Sequence, residues 1–322
     1  MTCYIVLGAS GFLGSHVHEA INRSEEAPAL VAVSRYPPLL AMPPNSSWVP
    51  LDLVTATVAE LVVLIEASRP DAVINCAGRT SGTSQQLWDL NTTFVDKLIQ
   101  ALRQSGPAPL VHLGSAAEYG VQPSGIPIKE TADARPVSSY GRSKLAATRK
   151  IASAAEKGDI SATVLRVFNP IGPRMPVDTL AGRAVQQLRL ARQSKGSVIT
   201  MGPLDAFRDF IAAKDVASAA LRATQLPGRD PVINVGRGVS MSCRTLVQMI
   251  ADAAGFRGNV VEQGDGSGRS AEVPWQQADV SLLGLNFDWL PETTMIEAVL
   301  ELWKSDSELP SRTNGEVSHL VR

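Results

Sequence analysis

An α/β fold built on a doubly wound parallel sheet is what this sequence predicts, and three observations lead to it. Short apolar runs rich in Val and Ile alternate with longer amphipathic stretches through the first half of the chain. A glycine-rich turn, GASGFLG, joins the first run to the first amphipathic stretch near the N-terminus, and the 322 residues are enough for a large buried core. Apolar runs of this length read as parallel strands covered on both faces by helices.

The elements follow in order. CYIVLG is a strand and FLGSHVHEAINR a helix; ALVAVS is a strand, TVAELVVLIEASR a helix and DAVINCAG a strand. QQLWDLNTTFVDKLIQALRQ has a helical period, PLVHLGS is a strand, residues 138–156 form a helix and ISATVLRVFN another strand. After Pro170 the rhythm loosens: IGPRMP is a loop, AGRAVQQLRLARQ a helix, and SVITMG and RDFIAA short strands. KDVASAALRATQ is helical, PVINVG is a strand, and TLVQMIADAAG is a helix closed by Gly255. GDGSGRSAE is polar and Gly-rich, the mark of a surface loop, and the segment after Lys304 has the low apolar content of a frayed tail. The expected organisation is a dinucleotide-binding domain over residues 1–168, with a strand near 231–236 returning to it. A smaller, mainly substrate-binding domain is expected over 169–304 and a flexible tail over 305–322.

Composition removes several function classes. With 30 Lys plus Arg against 31 Asp plus Glu the net charge is −1, so no basic field exists to hold nucleic acid. Cys3, Cys76 and Cys243 are odd in number and far apart, which suits neither a zinc site nor a disulfide framework and points to a reducing cytoplasm. MTCYIVLGAS lacks the pattern of an export signal, and no apolar run reaches bilayer length, so no membrane association is expected. His16, His18, His112 and His319 read as ordinary surface or core residues, and no metal is expected.

Gly8, Gly11 and Gly14 follow a strand and open a helix. Glycine suits a sharp turn and a close backbone approach, while the helix N-terminus offers free N–H groups and a positive dipole end. The loop is built for the pyrophosphate of a dinucleotide, with Ser10, Phe12 and Leu13 beside it. At the end of the second strand Ser34 and Arg35 stand where an NAD site usually offers a carboxylate to the ribose. A guanidinium pairs better with a 2′-phosphate than with a hydroxyl, which favours NADP(H) and leaves NAD(H) as the alternative.

SSYGRSK places Tyr140 and Lys144 four positions apart, hence on one helix face. GASGFLG, Asp52 with Leu53, NCAG from Asn75 to Gly78, HLGSAAEYG, Tyr140 with Lys144, RVFNPIGP and RDFIAAKDVA occur in that order over nearly the whole chain. Together they resemble the extended short-chain dehydrogenase/reductase family, also called the NAD-dependent epimerase/dehydratase family. The resemblance implies a Rossmann-type sheet with an interleaved substrate domain. It also implies Tyr140 as general acid or base, Lys144 as the group that lowers its pKa and holds the nicotinamide ribose, and Ser115 as the hydrogen-bonding partner of the reacting oxygen. The physics agrees, since a phenol of ordinary pKa, about 10, is a poor base at neutral pH and a nearby cation favours the phenolate. Asp52 would meet the adenine amine beside the Leu53 backbone. Cys76, Ala77 and Gly78 would line the cofactor, with Asn91 facing the site from a helix and Phe168 near the nicotinamide.

MGPLDAFRDF and GRSAEVP resemble segments of the family's enzymes for GDP-linked 6-deoxyhexoses, where arginines matching Arg208 and Arg269, helped by Arg183, grip a diphosphate. Thr80, Ser115, Ala116 and Asn169 complete the expected substrate set. Dehydratases of this group place a glutamate where this chain has Ala117; Glu118, one place later, would face the other side of an ideal strand. The reading is NADPH-dependent reduction of a nucleotide-linked 4-keto-6-deoxyhexose, with a GDP sugar favoured. The alternatives are a 4-epimerase that retains its cofactor, a 4,6-dehydratase, a reductase of small apolar carbonyl compounds, and an NADP(H)-binding sensor or scaffold. The resemblance also implies a homodimer in which Gln85 to Gln104 and Ser138 to Glu156 form a four-helix bundle.

Overall fold

The computed structural model describes residues 2–106, 108–226, 230–264 and 272–307. Arg269, His319, most of the Gly-rich loop and residues 308–322 of the expected tail lie outside the described residues.

The elements run β1 (Cys3–Leu7), α1 (Phe12–Arg23), β2 (Ala29–Ser34), β3 (Ser47–Pro50), α2 (Val58–Ser68), β4 (Ala72–Asn75), α3 (Ser84–Trp88), α4 (Phe94–Ser105), β5 (Leu110–Ser115), α5 (Ser139–Glu156) and β6 (Ala162–Val167). The second half holds β7 (Pro170–Ile171), α6 (Leu180–Ser194), β8 (Val198–Met201), β9 (Phe207–Asp209), β10 (Ile211–Ala212), α7 (Ala213–Gln225), β11 (Val232–Val235), β12 (Ser240–Ser242), α8 (Cys243–Ala253), β13 (Asn259–Glu262), α9 (Ser281–Phe287) and α10 (Met295–Ser307). α10 therefore continues past residue 305, where the sequence reading began its tail.

Seven strands form one parallel sheet in the order β11-β6-β5-β4-β1-β2-β3. The strand order reverses beside β1, which opens a crevice at the carboxyl ends of the strands. Strand alternation splits the core between two faces: Ile5 and Leu7 pack with Leu98 and Ile151, whereas Tyr4 and Val6 pack with Val17 and Val216. A third apolar cluster, including Leu188, Ile199, Leu246 and Leu302, belongs to the second half. The short pairs β12–β9 and β13–β8 stand apart from the main sheet, and β8 and β9 contribute to the far wall of the crevice.

The long helical stretch before β5 is not one regular helix. A single π turn, Asp89–Thr93, separates α3 from α4. Asn91 sits in this turn, and its amide bonds both the N–H (2.8 Å) and the carbonyl (2.9 Å) of Arg79 and the Ser143 hydroxyl (3.0 Å). The extra residue in the turn aims that side chain inward. On the outward face of α4 and α5, where a four-helix bundle was expected, the exposed or half-exposed side chains include Asp96, Gln100, Arg103, Arg149 and Lys150, with Lys150 donating to Asp96 at 2.8 Å. Over α4 and α5 a pairing would rest on polar and ionic contacts, because their buried apolar residues turn inward, whereas Trp88 of α3, inside the expected segment, is exposed.

Candidate active site

The crevice encloses about 900 Å³ and runs from the glycine loop, across the ends of β4 to β6, to the wall made by α6, β8 and β9. Gly8 turns at φ 78°, and a Cβ there would lie 2.8 Å from the Ala77 backbone. A Cβ at Gly14 would run into the Gly8 carbonyl. These two glycines let α1 start against the loop, so that N–H groups at its first turn face the cleft. Ser10, Gly11, Phe12 and Leu13 line the cleft beside Gly8, while Gly14 lies behind the loop as its packing residue. This cradle fits a pyrophosphate.

At the adenosine end, Arg35 is exposed, and its guanidinium stands 5.9 Å over the Tyr36 ring. Ser34 lines the cleft, but its hydroxyl donates to the Tyr36 carbonyl (2.6 Å), so it shapes the turn that presents Arg35. Asp52 and Leu53 line the cleft too. One Asp52 oxygen accepts from Val54 N at 3.0 Å, a local turn rather than a cap on the next helix. Cys76, Ala77, Gly78 and Thr80 continue the floor.

Ser115, Ala116, Tyr140, Lys144 and Asn169 meet in the middle of the cleft. The Ser138 hydroxyl caps α5 by accepting from Gly141 N at 3.1 Å, which sets the first turn that carries Tyr140. Gly141 packs so closely on the Ala117 carbonyl that no side chain fits between them. The start of α5 is thereby fixed against the turn that follows β5, with Tyr140 and Ser115 lining the same cleft. Ser115 Oγ accepts from Ala117 N at 3.2 Å, which leaves its own O–H to donate elsewhere. Lys144 is 3 % exposed; burial pushes its ammonium down to about 8, while Glu118 and then Cys76 act in the opposite direction.

Besides Gly14, two more residues expected at the cofactor do not line the cleft. Asn91 is buried beneath the floor and holds the Arg79 backbone, and Phe168 is fully buried against Tyr119, their ring centroids 6.1 Å apart. Glu118 also lies outside. The chain leaves strand geometry at Ala116 for a single 3₁₀ turn, and the fully buried Glu118 carboxylate accepts from Ser115 N and from Arg166 Nε, both at 2.8 Å. Removing either partner of such a buried pair is costly, so the carboxylate is committed to structure.

On the substrate side Arg183 lines the cleft from α6, and Arg208 lines it from β9. Arg208 is 5 % exposed and donates to the carbonyls of Phe207 and Val273, each at 2.7 Å. Arg79 and Gln276 also line the cleft, although neither was expected there. Arg79 follows NCAG directly, and that position was its only signal; Gln276 had none. Gln276 is buried, lines the cleft and donates to the Ala116 carbonyl at 3.2 Å, a link spanning 160 residues in sequence. Among the described residues no three His, Cys, Asp or Glu side chains form a metal-ligand group, and no helix is long and apolar enough to cross a membrane.

A dinucleotide cradle at the switch point of a doubly wound sheet, opening onto a serine, a tyrosine and a lysine, defines a nicotinamide-dependent oxidoreductase class of site. The chain belongs to the NAD dependent epimerase/dehydratase family, which matches residues 4–236. It is 36 % identical over 308 residues to the dTDP-6-deoxy-L-talose 4-dehydrogenase (NAD(P)(+)) of Kitasatospora kifunensis, covering 95 % of this chain and 96 % of the relative. It is 28 % identical over 312 residues to the GDP-6-deoxy-D-mannose reductase of Pseudomonas aeruginosa, covering 93 % and 96 %. Among solved structures, RMD from Pseudomonas aeruginosa complexed with NADPH superposes with a TM-score of 0.79 at 26 % identity, covering 95 % of this chain and 98 % of the other. MoeE5 in complex with UDP-glucuronic acid and NAD reaches a TM-score of 0.82 at 25 % identity, covering 95 % and 99 %.

Proposed function

We propose that this chain catalyses NADPH-dependent reduction at C4 of a nucleoside-diphosphate-linked 4-keto-6-deoxyhexose. One observation carries the reading: Ser115, Tyr140 and Lys144 share a single continuous cleft with Arg183 and Arg208, so a diphosphate held by the arginines leaves its sugar beside the tyrosine. The names of the two relatives support it, since both specify a 6-deoxyhexose and net oxidation or reduction.

Bound NADPH would supply the hydride to C4. Ser115 donates to the ketone oxygen and orients it, and Tyr140 gives the developing alkoxide its proton. Lys144 lies one helical turn from Tyr140 on the same cleft and would hold the nicotinamide ribose of a bound cofactor. Arg183 and Arg208, with Arg269, provide charge-assisted bonds to the diphosphate. Elimination of water would need a carboxylate near the reacting carbon, and Glu118 is bound to Arg166 outside the cleft lining. The second reading, a 4-epimerase, uses the same three groups, and a relative named UDP-glucose 4-epimerase from Streptomyces lividans is 30 % identical over 57 % of this chain. Net consumption of NADPH separates the two.

The first test is the thermal midpoint with NADPH, NADH and a panel of nucleoside diphosphates, because a ligand that binds only the native state raises it. NADPH and one diphosphate should each raise the midpoint. The sequence motifs put GDP first and the 36 % identical relative adds dTDP, so both belong in the panel. No response to any diphosphate would overturn the nucleotide-sugar reading. For the cofactor, Arg35→Asp should cost about ten- to a hundredfold in NADPH affinity, the loss of one charge-assisted contact. Unchanged discrimination against NADH would show that Arg35 does not reach the 2′-phosphate.

A further inference from the structure

Beneath the tyrosine and the lysine lies a polar chain whose protons can be assigned without seeing them. Ala77 N donates to Asn75 Oδ1 at 3.0 Å. A backbone N–H is only a donor, so this contact fixes which end of the amide is oxygen and turns Nδ2 toward the neighbouring ring. Asn75 Nδ2 is 2.9 Å from His112 Nδ1. That nitrogen must then accept, and a neutral imidazole carries its proton on Nε2. His112 Nε2 in turn faces Lys144 Nζ at 3.4 Å, and Nζ donates to the Leu113 carbonyl at 2.5 Å. All three side chains are buried.

An Nε2–H pointing at an ammonium is a meeting of two donors. The same N–H pointing at a neutral amine meets a lone pair. We propose that Asn75 and His112 are positioning residues for Lys144: the amide selects the Nε2–H tautomer, and that N–H favours the neutral amine over the ammonium in the resting protein.

The surroundings agree. Burial holds His112 well below its ordinary value, with Lys144 acting in the same direction, so the ring stays neutral. The groups facing Lys144 are His112 and the Leu113 carbonyl from β5, Cys76 from the end of β4, Glu118 from the turn after β5 and Tyr140 from its own helix. Glu118 favours the ammonium, but its carboxylate is already paired with Arg166. Lys144 thus changes charge much nearer to neutral pH than a free lysine. A ligand whose hydroxyls accept from Nζ within the cleft would favour the ammonium, so its binding would draw a proton onto the protein.

The inference concerns the free protein and holds whichever sugar binds. Its test is imidazole ¹⁵N and lysine side-chain NMR on the ligand-free wild type and on Asn75→Asp. The wild type should show His112 as the Nε2–H tautomer and Lys144 titrating well below the ordinary lysine range. In Asn75→Asp the new carboxylate accepts from Nδ1–H, the tautomer inverts, and the Nε2 lone pair should raise the Lys144 pKa by about one unit or more, tenfold in proton affinity. The added charge alone would raise it too, so the same substitution in a His112→Phe background measures that part, and the shift there should be much smaller. A wild-type Nδ1–H tautomer would overturn the proposal with no variant needed. So would a Lys144 that titrates like a free lysine, or an equal shift with and without the imidazole.

Discussion

Tyr140→Phe should lower turnover by about two to four orders of magnitude, the range for a positioned general acid, and leave NADPH affinity nearly unchanged. The substitution removes one O–H from a half-buried ring and keeps the ring and the backbone. The helix start does not depend on that oxygen, because Ser138 caps it and Gly141 locks it onto the Ala117 carbonyl. Ser115 also keeps its place, since its hydroxyl and its N–H are held by the turn that follows β5. The phenylalanine variant therefore keeps the start of α5 and Ser115 in place. Steady-state turnover beside a fluorescence titration with NADPH would read both quantities on one preparation. Activity close to wild type would take the acid role away from Tyr140, and a matching loss of cofactor affinity would show that the hydroxyl mainly holds the ribose.

What could be read from the sequence is what local periodicity decides. The Val- and Ile-rich runs became β1, β2, β4, β5 and β6, and GASGFLG became a cradle, because a strand, a turn without side chains and a helix start are each encoded within a few residues. The four-residue spacing brought Tyr140 and Lys144 to one cleft for the same reason. Residues whose place depends on distant partners were not legible. The π turn at Asp89–Thr93 exists where Asn91 reaches the backbone of Arg79, twelve residues earlier, and Ser143 in α5. Alternation along a strand turned Glu118 away from the site, yet the physical reason is different: the strand ends at Ser115 and Arg166 draws the carboxylate into the core. His112 looked like an ordinary core histidine, and its burial fits that, but its contact with Lys144 joins β5 to α5 and leaves no mark on the local pattern. Phe168 stands next to a cleft residue in sequence and still faces the core, since neighbouring residues at a strand end point to opposite sides.

Arg208→Ala should weaken nucleotide-sugar binding by about ten- to a hundredfold for each charge-assisted bond it removes, with a far smaller effect on NADPH. The separation follows from position. Arg208 sits on β9, which pairs with β12 across Arg208 and Met241, whereas the glycine loop belongs to the opposite end of the cleft. Burial holds the guanidinium below its ordinary pKa without neutralising it, so it remains a cation in a poorly solvated wall, where an anion gains most from it. Truncation also strips the carbonyls of Phe207 and Val273 of a donor, a structural cost that would lower the thermal midpoint. The strand should survive, because the adjacent Asp209 carboxylate independently accepts from the N–H groups of Arg237 (2.8 Å), Gly238 (2.9 Å) and Ala278 (3.1 Å). Arg208→Lys supplies the control: it keeps the charge but loses the planar fork, so it should restore only part of the affinity. The informative quantity is the ratio of substrate loss to cofactor loss in these two variants, since a general loosening of the fold weakens both ligands together. Equal losses would remove Arg208 from the diphosphate site, whereas a loss confined to the sugar nucleotide, partly recovered by lysine, is what a guanidinium held against a diphosphate requires.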